Sequence, residues 1–232
     1  MGKQNLDRYK VRPKPVRYLL GYLVMFLGTM LARINLKGTE NIPKKGPFVV
    51  VCNHFNRLDP PFVIFAIKKP INFLMASDQT VEAEIMWAPW LYGFIPTNRQ
   101  KIAPSTIKEA VKALKKGEVV GVFPEGVATE PYLRQAKKGA AYLAMIADVP
   151  ILPMSLIGMD NIWNKWFKGI KPTLRIRIGK PFTLGALPKE KKYKNTALIA
   201  ASEKIMLSIG ELLPAVYHGE FVGDKRLAQV GN

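Results

Sequence analysis

The stretch VVVCNHFNRLDPPF, residues 49–62, leads from an apolar run into the start of a helix. Its first half belongs to PFVVVC (47–52), a continuous apolar segment of the kind that a parallel strand covered on both faces requires. Its second half predicts a helix with Asp59 as N-cap and Pro60 at the first helical position. The turn between them contains His54, at the carboxyl end of the strand, where parallel sheets usually bind their ligands.

Apolar strands and helices alternate along the rest of the chain. Four more segments predict strands, the last with one solvated face: INFLMAS (71–77), EVVGVF (118–123), PILPMSLIG (150–158) and TLRIRIG (173–179). Helices are predicted from Asp59 to about Lys68 and over 79–92, 106–116, 134–147 and 195–213. Thr106 and Glu109 predict a capping box for the third of these helices, and Gly117 its end. The alternation predicts an α/β domain whose mainly parallel sheet is flanked by helices.

Composition narrows the classes of partner. Thirty-five Lys and Arg against 17 Asp and Glu give the 232-residue chain a formal charge of +18, which favours polyanions or anionic membrane surfaces. The single cysteine, Cys52, excludes an internal disulfide and fits a reducing compartment. With only His54 and His218 beside it, a structural zinc site is not expected, and the sequence indicates no metal and no cofactor.

Residues 18–32, YLLGYLVMFLGTMLA, carry no charge. They are shorter than the roughly 20 residues that span a bilayer, and no signal-peptidase site follows them. Basic residues flank the segment on both sides, so we expect both ends on the cytoplasmic side of the cell membrane, with monotopic, re-entrant or peripheral attachment. The alternative is a buried core helix. The expected division is a membrane-associated segment, 1–34, and one further domain, 35–232.

His54 and Asp59 are candidates for a general base and the carboxylate that orients it. In a continuous helix over 54–59 the two side chains would lie about 140° apart, so they meet only if the chain bends before the two prolines. Such a pair can take a proton from a hydroxyl, which contributes roughly 10² to 10⁴ in rate. The alternative is that Asp59 only caps the helix and His54 is an ordinary polar loop residue.

Competing chemistry has little support in the sequence. There is no G-x-S-x-G nucleophile motif. Cys52 lies two residues before His54, so a Cys–His pair is conceivable, although a lone strand cysteine is usually a core residue. GVFPEG (121–126) has the spacing of half a P-loop but lacks its Lys and Ser/Thr, which argues against a nucleotide phosphate site.

Four segments together resemble the conserved motifs of the glycerolipid acyltransferases. They occur in family order, and the resemblance covers about residues 38–180: NHFNRLDP (53–60), GFIPTNR (93–99), VFPEG (122–126) and VPILPMSLIG (149–158). The chain is most similar to the bacterial 1-acylglycerol-3-phosphate acyltransferases. The resemblance implies the αβα fold of glycerol-phosphate acyltransferases. It also implies acyl transfer from a thioester of acyl carrier protein or coenzyme A to the sn-2 hydroxyl of lysophosphatidic acid.

The resemblance also implies roles for particular residues. His54 and Asp59 would be catalytic, and Glu125 and Gly126 would lie beside the glycerol part of the acceptor. Where the family continues Glu-Gly with Thr-Arg-Ser, this chain has Val127, Ala128 and Thr129, so an arginine expected near the acceptor phosphate is absent. Arg99 and Lys137, the latter in a segment similar to the family's Phe-Lys-x-Gly, would then hold that phosphate.

Other functions remain open from the sequence. The acceptor could instead be glycerol 3-phosphate, another lysophospholipid or a glycolipid hydroxyl, and water in place of the alcohol would make a thioesterase. A non-catalytic basic membrane-surface protein would explain the charge but not the His54 to Asp59 pattern. Nucleic acid is not expected as a partner, because the interleaved aromatic and basic motifs of RNA-binding sheets are missing. NIWNKWFKGIKP (161–172) is either a second membrane contact or ordinary packing.

Overall fold

The computed structural model describes residues 10–76, 91–97, 103–128 and 130–227. Within these ranges, one sheet has the strand order β1-β7-β6-β2-β5-β3-β4. Its strands are β1 (Arg33–Lys37), β2 (Phe48–Cys52), β3 (Ile71–Ala76), β4 (Ile95–Thr97), β5 (Val119–Val122), β6 (Ile151–Ile157) and β7 (Thr173–Ile178). Strands β2 to β6 are mutually parallel, whereas β7 pairs antiparallel with β6, and β1 lies parallel to β7. The predicted mainly parallel sheet is confirmed.

Helices cover both faces of this sheet. They are α1 (Lys14–Leu31), α2 (Asp59–Ile67), α3 (Pro104–Lys115), α4 (Gly139–Ala147), α5 (Ile162–Phe167) and α6 (Lys191–Gly210), with 3₁₀ turns at Thr39–Asn41, Ala215–Tyr217 and Gly219–Phe221. Side chains of β2 alternate between two cores: Val49 and Val51 pack with α3, α4 and α6, and Val50 and Cys52 pack with α2. Burial on both faces explains why the strand is a continuous apolar run.

Two helix starts differ from the sequence prediction. α3 begins at Pro104, and the Thr106 hydroxyl donates to the Pro96 carbonyl at 2.6 Å, so the predicted capping box is wrong. α4 begins at Gly139 instead of residue 134, because the main chain before it bonds elsewhere: the Lys137 N–H donates to the Pro124 carbonyl at 2.9 Å. In both places a hydrogen bond to a residue before the helix overrides the local helical pattern.

Strands β1 and β4 were not predicted, and most of the helix predicted over 79–92 lies outside the described residues.

The apolar segment 18–32 forms most of α1, which packs against α2 on one side. Near its start, Arg17 is buried; its Nη1 donates to Asn72 Oδ1 at 3.1 Å and its Nη2 lies 3.4 Å from Glu118 Oε2. The outward side of α1 exposes large apolar side chains, among them Leu19, Tyr22, Leu23, Phe26 and Met30. α1 is therefore not a helix buried on all sides. Among the described residues, no helix combines the length and apolarity needed to cross a bilayer.

Candidate active site

Two neighbouring parallel strands end at one edge of the sheet and carry the candidate residues. β2 leads into residues 53–59, the His54 loop, and β5 leads into residues 123–128 and 130–137, the Glu125 segment. Since parallel strands point their carboxyl ends the same way, the two loops lie side by side. They meet where the main-chain N–H of His54 donates to Glu125 Oε1 at 3.1 Å.

The His54 loop brings the predicted pair together. His54 Nδ1 lies 2.9 Å from Asp59 Oδ2, which also accepts the main-chain N–H of Asn56 at 3.0 Å. The Asp59 side chain is fully buried, whereas the His54 side chain is 18% exposed. An ionised carboxylate only accepts hydrogen bonds, so with Asp59 ionised the bond is donated by Nδ1–H, which leaves Nε2 of a neutral imidazole with a lone pair. This is the arrangement that a general base needs.

The local structure of α2 explains the position of Asp59. Leu58, not Asp59, occupies the N-cap position, and Asp59 is the first helical residue, so the predicted capping role is wrong. Burial raises the pKa of Asp59, while the hydrogen bonds from His54 and from the Asn56 N–H act in the opposite direction. A carboxylate in the first turn of a helix is also favoured by the helix dipole. Oδ2 of Asp59 therefore bonds both to the His54 side chain and to the main chain of the same loop.

Asn53 fixes the loop to the next strand and had no predicted role. Its side-chain Nδ2 donates to the Leu156 carbonyl at 2.9 Å, and its Oδ1 accepts the Leu156 N–H at 2.9 Å. The side chain thus replaces a strand neighbour for β6 at the point where β2 ends. The only sequence signal for this role is its place directly before the histidine.

The imidazole of His54 is supported by an aromatic ring. Phe123, the first residue after β5, stacks on it with 4.2 Å between ring centroids and an angle of 21° between the planes. Phe73 of β3 lies on Phe123 in turn, at 5.9 Å. These contacts, with the bond to Asp59, restrict the orientation of the imidazole ring.

Glu125 lies behind His54. Its side chain is fully buried, with Oε1 bonded to the His54 N–H and Oε2 3.5 Å from Arg134 Nε. Burial raises the pKa of Glu125 to about 8, although the His54 N–H and the Arg134 guanidinium both lower it. The carboxyl group therefore contacts the main chain of the His54 loop, and its place beside an acceptor remains a prediction.

Gly126 and Lys137 lie against each other at the surface of the Glu125 segment. Gly126 has φ +76°, and a Cβ there would lie 3.1 Å from Lys137 Cε and 3.3 Å from its Nζ. The backbone conformation and the passing side chain both favour glycine. The structure thus brings Glu125 to the His54 loop and Lys137 to Gly126, the residue after Glu125.

Arg99, the remaining predicted site residue, lies outside the described residues. The described part of the chain contains no group of three His, Cys, Asp or Glu side chains that could hold a metal ion.

Cys52 is buried, with Sγ 3.7 Å from Asn53 Oδ1, and burial raises the pKa of its thiol well above the usual value. A buried, protonated thiol is a poor nucleophile.

Comparisons with known proteins identify the family of the chain. The family model "Acyltransferase" matches residues 33–157, more than half of the chain. The chain belongs to the acyltransferase family. The match includes His54, Asp59 and Glu125 and ends at the last residue of β6.

Two relatives of this acyltransferase carry the same activity in their names. The chloroplastic 1-acyl-sn-glycerol-3-phosphate acyltransferase LPAT1 of Arabidopsis thaliana is 32% identical over 155 residues, 64% of this chain and 43% of the relative. The enzyme of that name from Bacillus subtilis is 28% identical over 154 residues, 64% of this chain and 73% of the relative. The chain thus spans less than half of the plant relative's length.

A solved structure has the same fold. The crystal structure of the 1-acyl-sn-glycerophosphate (LPA) acyltransferase PlsC from Thermotoga maritima has a TM-score of 0.56. The likeness covers 84% of this chain and 81% of that one, at 23% identity. It confirms the predicted α/β fold of a mainly parallel sheet with flanking helices.

Proposed function

We propose that this acyltransferase transfers an acyl group from a thioester to the sn-2 hydroxyl of 1-acylglycerol 3-phosphate, giving phosphatidic acid in phospholipid biosynthesis. The observation that carries the proposal is the 2.9 Å contact between His54 Nδ1 and the buried Asp59 carboxyl. The names of the relatives from Arabidopsis and Bacillus support the acceptor.

His54 acts as the base in the proposed reaction. Its Nε2 takes the proton of the acceptor hydroxyl as the oxygen attacks the thioester carbonyl, and Asp59 stabilises the imidazolium that forms. The new C–O bond replaces the C–S bond, and the leaving thiolate takes the proton from the imidazolium. The stack of His54 on Phe123, at 4.2 Å, holds the ring during both transfers.

Direct attack by the acceptor is favoured over an acyl-enzyme intermediate. Cys52 is the candidate nucleophile nearest to His54 in the sequence. Its thiol is buried and donates a hydrogen bond to Asn53 Oδ1. Desolvation disfavours the thiolate that a covalent step would need. The base at His54 is therefore used on the acceptor alcohol itself.

Lys137 and Arg99 provide charge for the acceptor phosphate. Lys137 lies over Gly126, the residue after Glu125, and Arg99 follows β4 by two residues in the sequence. Gly126 allows close approach of the acceptor's glycerol part. Glu125 borders this region through its backbone, because its side chain points to the main chain of His54.

The acyl donor is a thioester of acyl carrier protein or of coenzyme A. The formal charge of +18 suits both, since a carrier protein is acidic and coenzyme A carries several phosphates.

We also propose attachment to the cytoplasmic face of the cell membrane, monotopic or peripheral, with 1–34 as the membrane-associated segment and 35–232 as the acyltransferase domain. α1 exposes an apolar surface, and α5 adds Trp163 and Phe167, the latter 88% exposed. The two helices are linked by Trp166 Nε1, which donates to the Leu31 carbonyl at 2.9 Å. Exposed apolar side chains on two linked helices, with basic residues nearby in the chain, are typical of binding to anionic lipid.

Sedimentation with anionic vesicles tests the membrane proposal. We expect the full-length protein to remain bound at high salt, because burial of apolar surface is not screened. Replacing Leu19, Tyr22 and Phe26 by serine should make binding weak and salt-sensitive, whereas the exposed Ile146 and Val216 serve as control positions. Full-length protein that stays in the supernatant at low salt would contradict the proposal.

An acceptor screen tests the reaction. Purified full-length protein in detergent is given labelled acyl-coenzyme A or acyl carrier protein thioesters with lysophosphatidic acid, glycerol 3-phosphate, other lysophospholipids or water. We expect phosphatidic acid as the main product. Preferred transfer to another acceptor would replace the proposed substrate, and hydrolysis alone would indicate a thioesterase.

A further inference from the structure

The sequence lacks an arginine directly after Glu125 and Gly126, but the fold brings another arginine to this turn. Arg134 Nη2 donates to the Val127 carbonyl at 2.8 Å, and its Nε lies 3.5 Å from Glu125 Oε2. The guanidinium thus contacts residues on both sides of Gly126. Its side chain is 21% exposed, so most of it is enclosed between the turn and the segment that carries it.

Glu125 connects this arginine to the catalytic loop. One carboxyl oxygen faces the Arg134 guanidinium, and the other accepts the main-chain N–H of His54. Both neighbours are donors, so both contacts are strongest when Glu125 is ionised. Burial of the carboxyl works against ionisation, and the positive charge of Arg134 offsets part of that cost.

Arg134 is held in place by the C-terminal part of the chain. The Leu133 N–H donates to the Tyr217 carbonyl at 2.8 Å, and the Glu220 N–H donates to the Leu133 carbonyl at 3.1 Å. Tyr217 also stacks on Phe55, the residue after His54, with 5.9 Å between ring centroids. The arginine therefore lies on a fixed segment with its charge directed at the turn.

We propose that Arg134 is a positioning residue that acts through Glu125 on the main chain of His54 and does not bind the acceptor phosphate. The inference rests on the proposed acyl transfer, for which His54 is the base. Arg134 and Lys137, three residues apart, then have different tasks: Arg134 positions His54 through Glu125, and Lys137 binds the acceptor phosphate.

A double-mutant cycle tests the coupling in full-length protein in detergent micelles, with 1-oleoyl lysophosphatidic acid and the thioester donor that the wild type accepts. Arg134→Gln removes the charge but keeps a donor for the Val127 carbonyl, and Glu125→Gln keeps an acceptor for the His54 N–H. We expect Arg134→Gln to lower kcat about tenfold, with the acceptor KM within about twofold. In the Glu125→Gln background, the same change should lower kcat less than about twofold.

Two further variants separate charge from structure. Arg134→Lys keeps the charge and should restore kcat to within about threefold of the wild type. Arg226→Ala removes an arginine from an exposed ion pair with Asp224 and Glu203 and should leave both constants unchanged. Circular dichroism and thermal unfolding check each fold. If Arg134→Gln does not fold, Arg134→Lys replaces it in the cycle, with the threefold loss expected only when Glu125 is present.

Two results would overturn the proposal. A rise in the acceptor KM with unchanged kcat would assign Arg134 to the acceptor phosphate. Equal losses of kcat with Glu125 and with Gln at position 125 would show that Arg134 does not act through that carboxyl. Wild-type transfer to lysophosphatidic acid tests the proposed function separately, because the cycle compares variants on whichever acceptor the wild type uses.

Discussion

The His54 loop and the Glu125 segment border the same site but are held in different ways. Within the His54 loop, the bonds from His54 and Asn56 to Asp59 and from Leu58 to Asn56 span at most five residues. The Glu125 segment is held through Leu133 by Tyr217 and Glu220, more than 80 residues away in the chain. The His54–Asp59 contact is therefore local, although Asn53 also bonds its loop to Leu156 of β6, whereas the position of Arg134 depends on the completed fold.

This difference explains which residues sequence reasoning can find. A histidine followed five residues later by an aspartate and two prolines predicts a contact between the two side chains, because a bend in the short loop brings them together. Arg134 and Glu125 are nine residues apart with no periodic pattern between them, and their contact depends on where β5 and the C-terminal turns lie. We expect the two loops to differ in their chemical tasks as well.

The largest effect is expected in the His54 loop. His54→Ala should lower kcat by on the order of 10²- to 10⁴-fold, because the base that takes the acceptor proton is lost. Steady-state transfer with saturating donor and acceptor measures this, and circular dichroism confirms the fold. Wild-type turnover in the folded variant would remove His54 from the mechanism.

Asp59→Asn should have the next largest effect, about 10²-fold in kcat, since an amide can donate to Nδ1 and so favour the wrong tautomer. Asp59 is fully buried at the start of α2, so the variant's stability must be measured by thermal unfolding alongside its rate. A folded Asp59→Asn protein with normal kcat would leave the carboxylate a purely structural role.

Glu125→Gln tests the second loop through stability. The pKa of Glu125 is raised to about 8, so the folded protein keeps this proton up to a higher pH than the unfolded chain, whose value is roughly 4.3. The free energy of unfolding should therefore fall as the pH rises between these values, by on the order of a few kcal/mol from this group. Urea unfolding at several pH values should show a flatter dependence for the variant. Identical slopes would contradict a raised pKa.

Lys137→Ala tests the proposed acceptor contact of the Glu125 segment. A phosphate contact made in both ground and transition states is uniform binding, so the acceptor KM should rise about fivefold while kcat and the donor KM change little. Lys138→Ala is the matched control, because its Nζ bonds to Asn195 Oδ1 at 2.6 Å. Equal effects of the two variants would indicate a general loss of surface charge.

The smallest effect is expected at Cys52. Cys52→Ala should change kcat less than about twofold, because the thiol is buried with a raised pKa and takes no part in the proposed reaction. A folded but inactive variant would restore the covalent alternative. Mass spectrometry after brief incubation with the donor would then detect the acyl-enzyme.

The sequence by itself determined the parallel core of the sheet and the His54–Asp59 pair. Largely apolar runs predicted β2, β3, β5 and β6, because strands covered on both faces consist mostly of apolar residues. The alternation in β7 predicted its half-solvated face, with Leu174 and Ile176 buried and Arg175 exposed. These features depend on residues close together in the chain.

Only the tertiary structure decided the two edge strands β1 and β4, the late start of α4 and the contact of Arg134 with Glu125. Each depends on a contact that no local pattern shows: β1 pairs with β7, and Lys137 bonds to Pro124 where α4 would otherwise have begun. Buried polar groups must find hydrogen-bond partners, and which partner is within reach is set by the packing of the whole chain. Local pattern therefore located the base, and the packed fold supplied the groups that hold it.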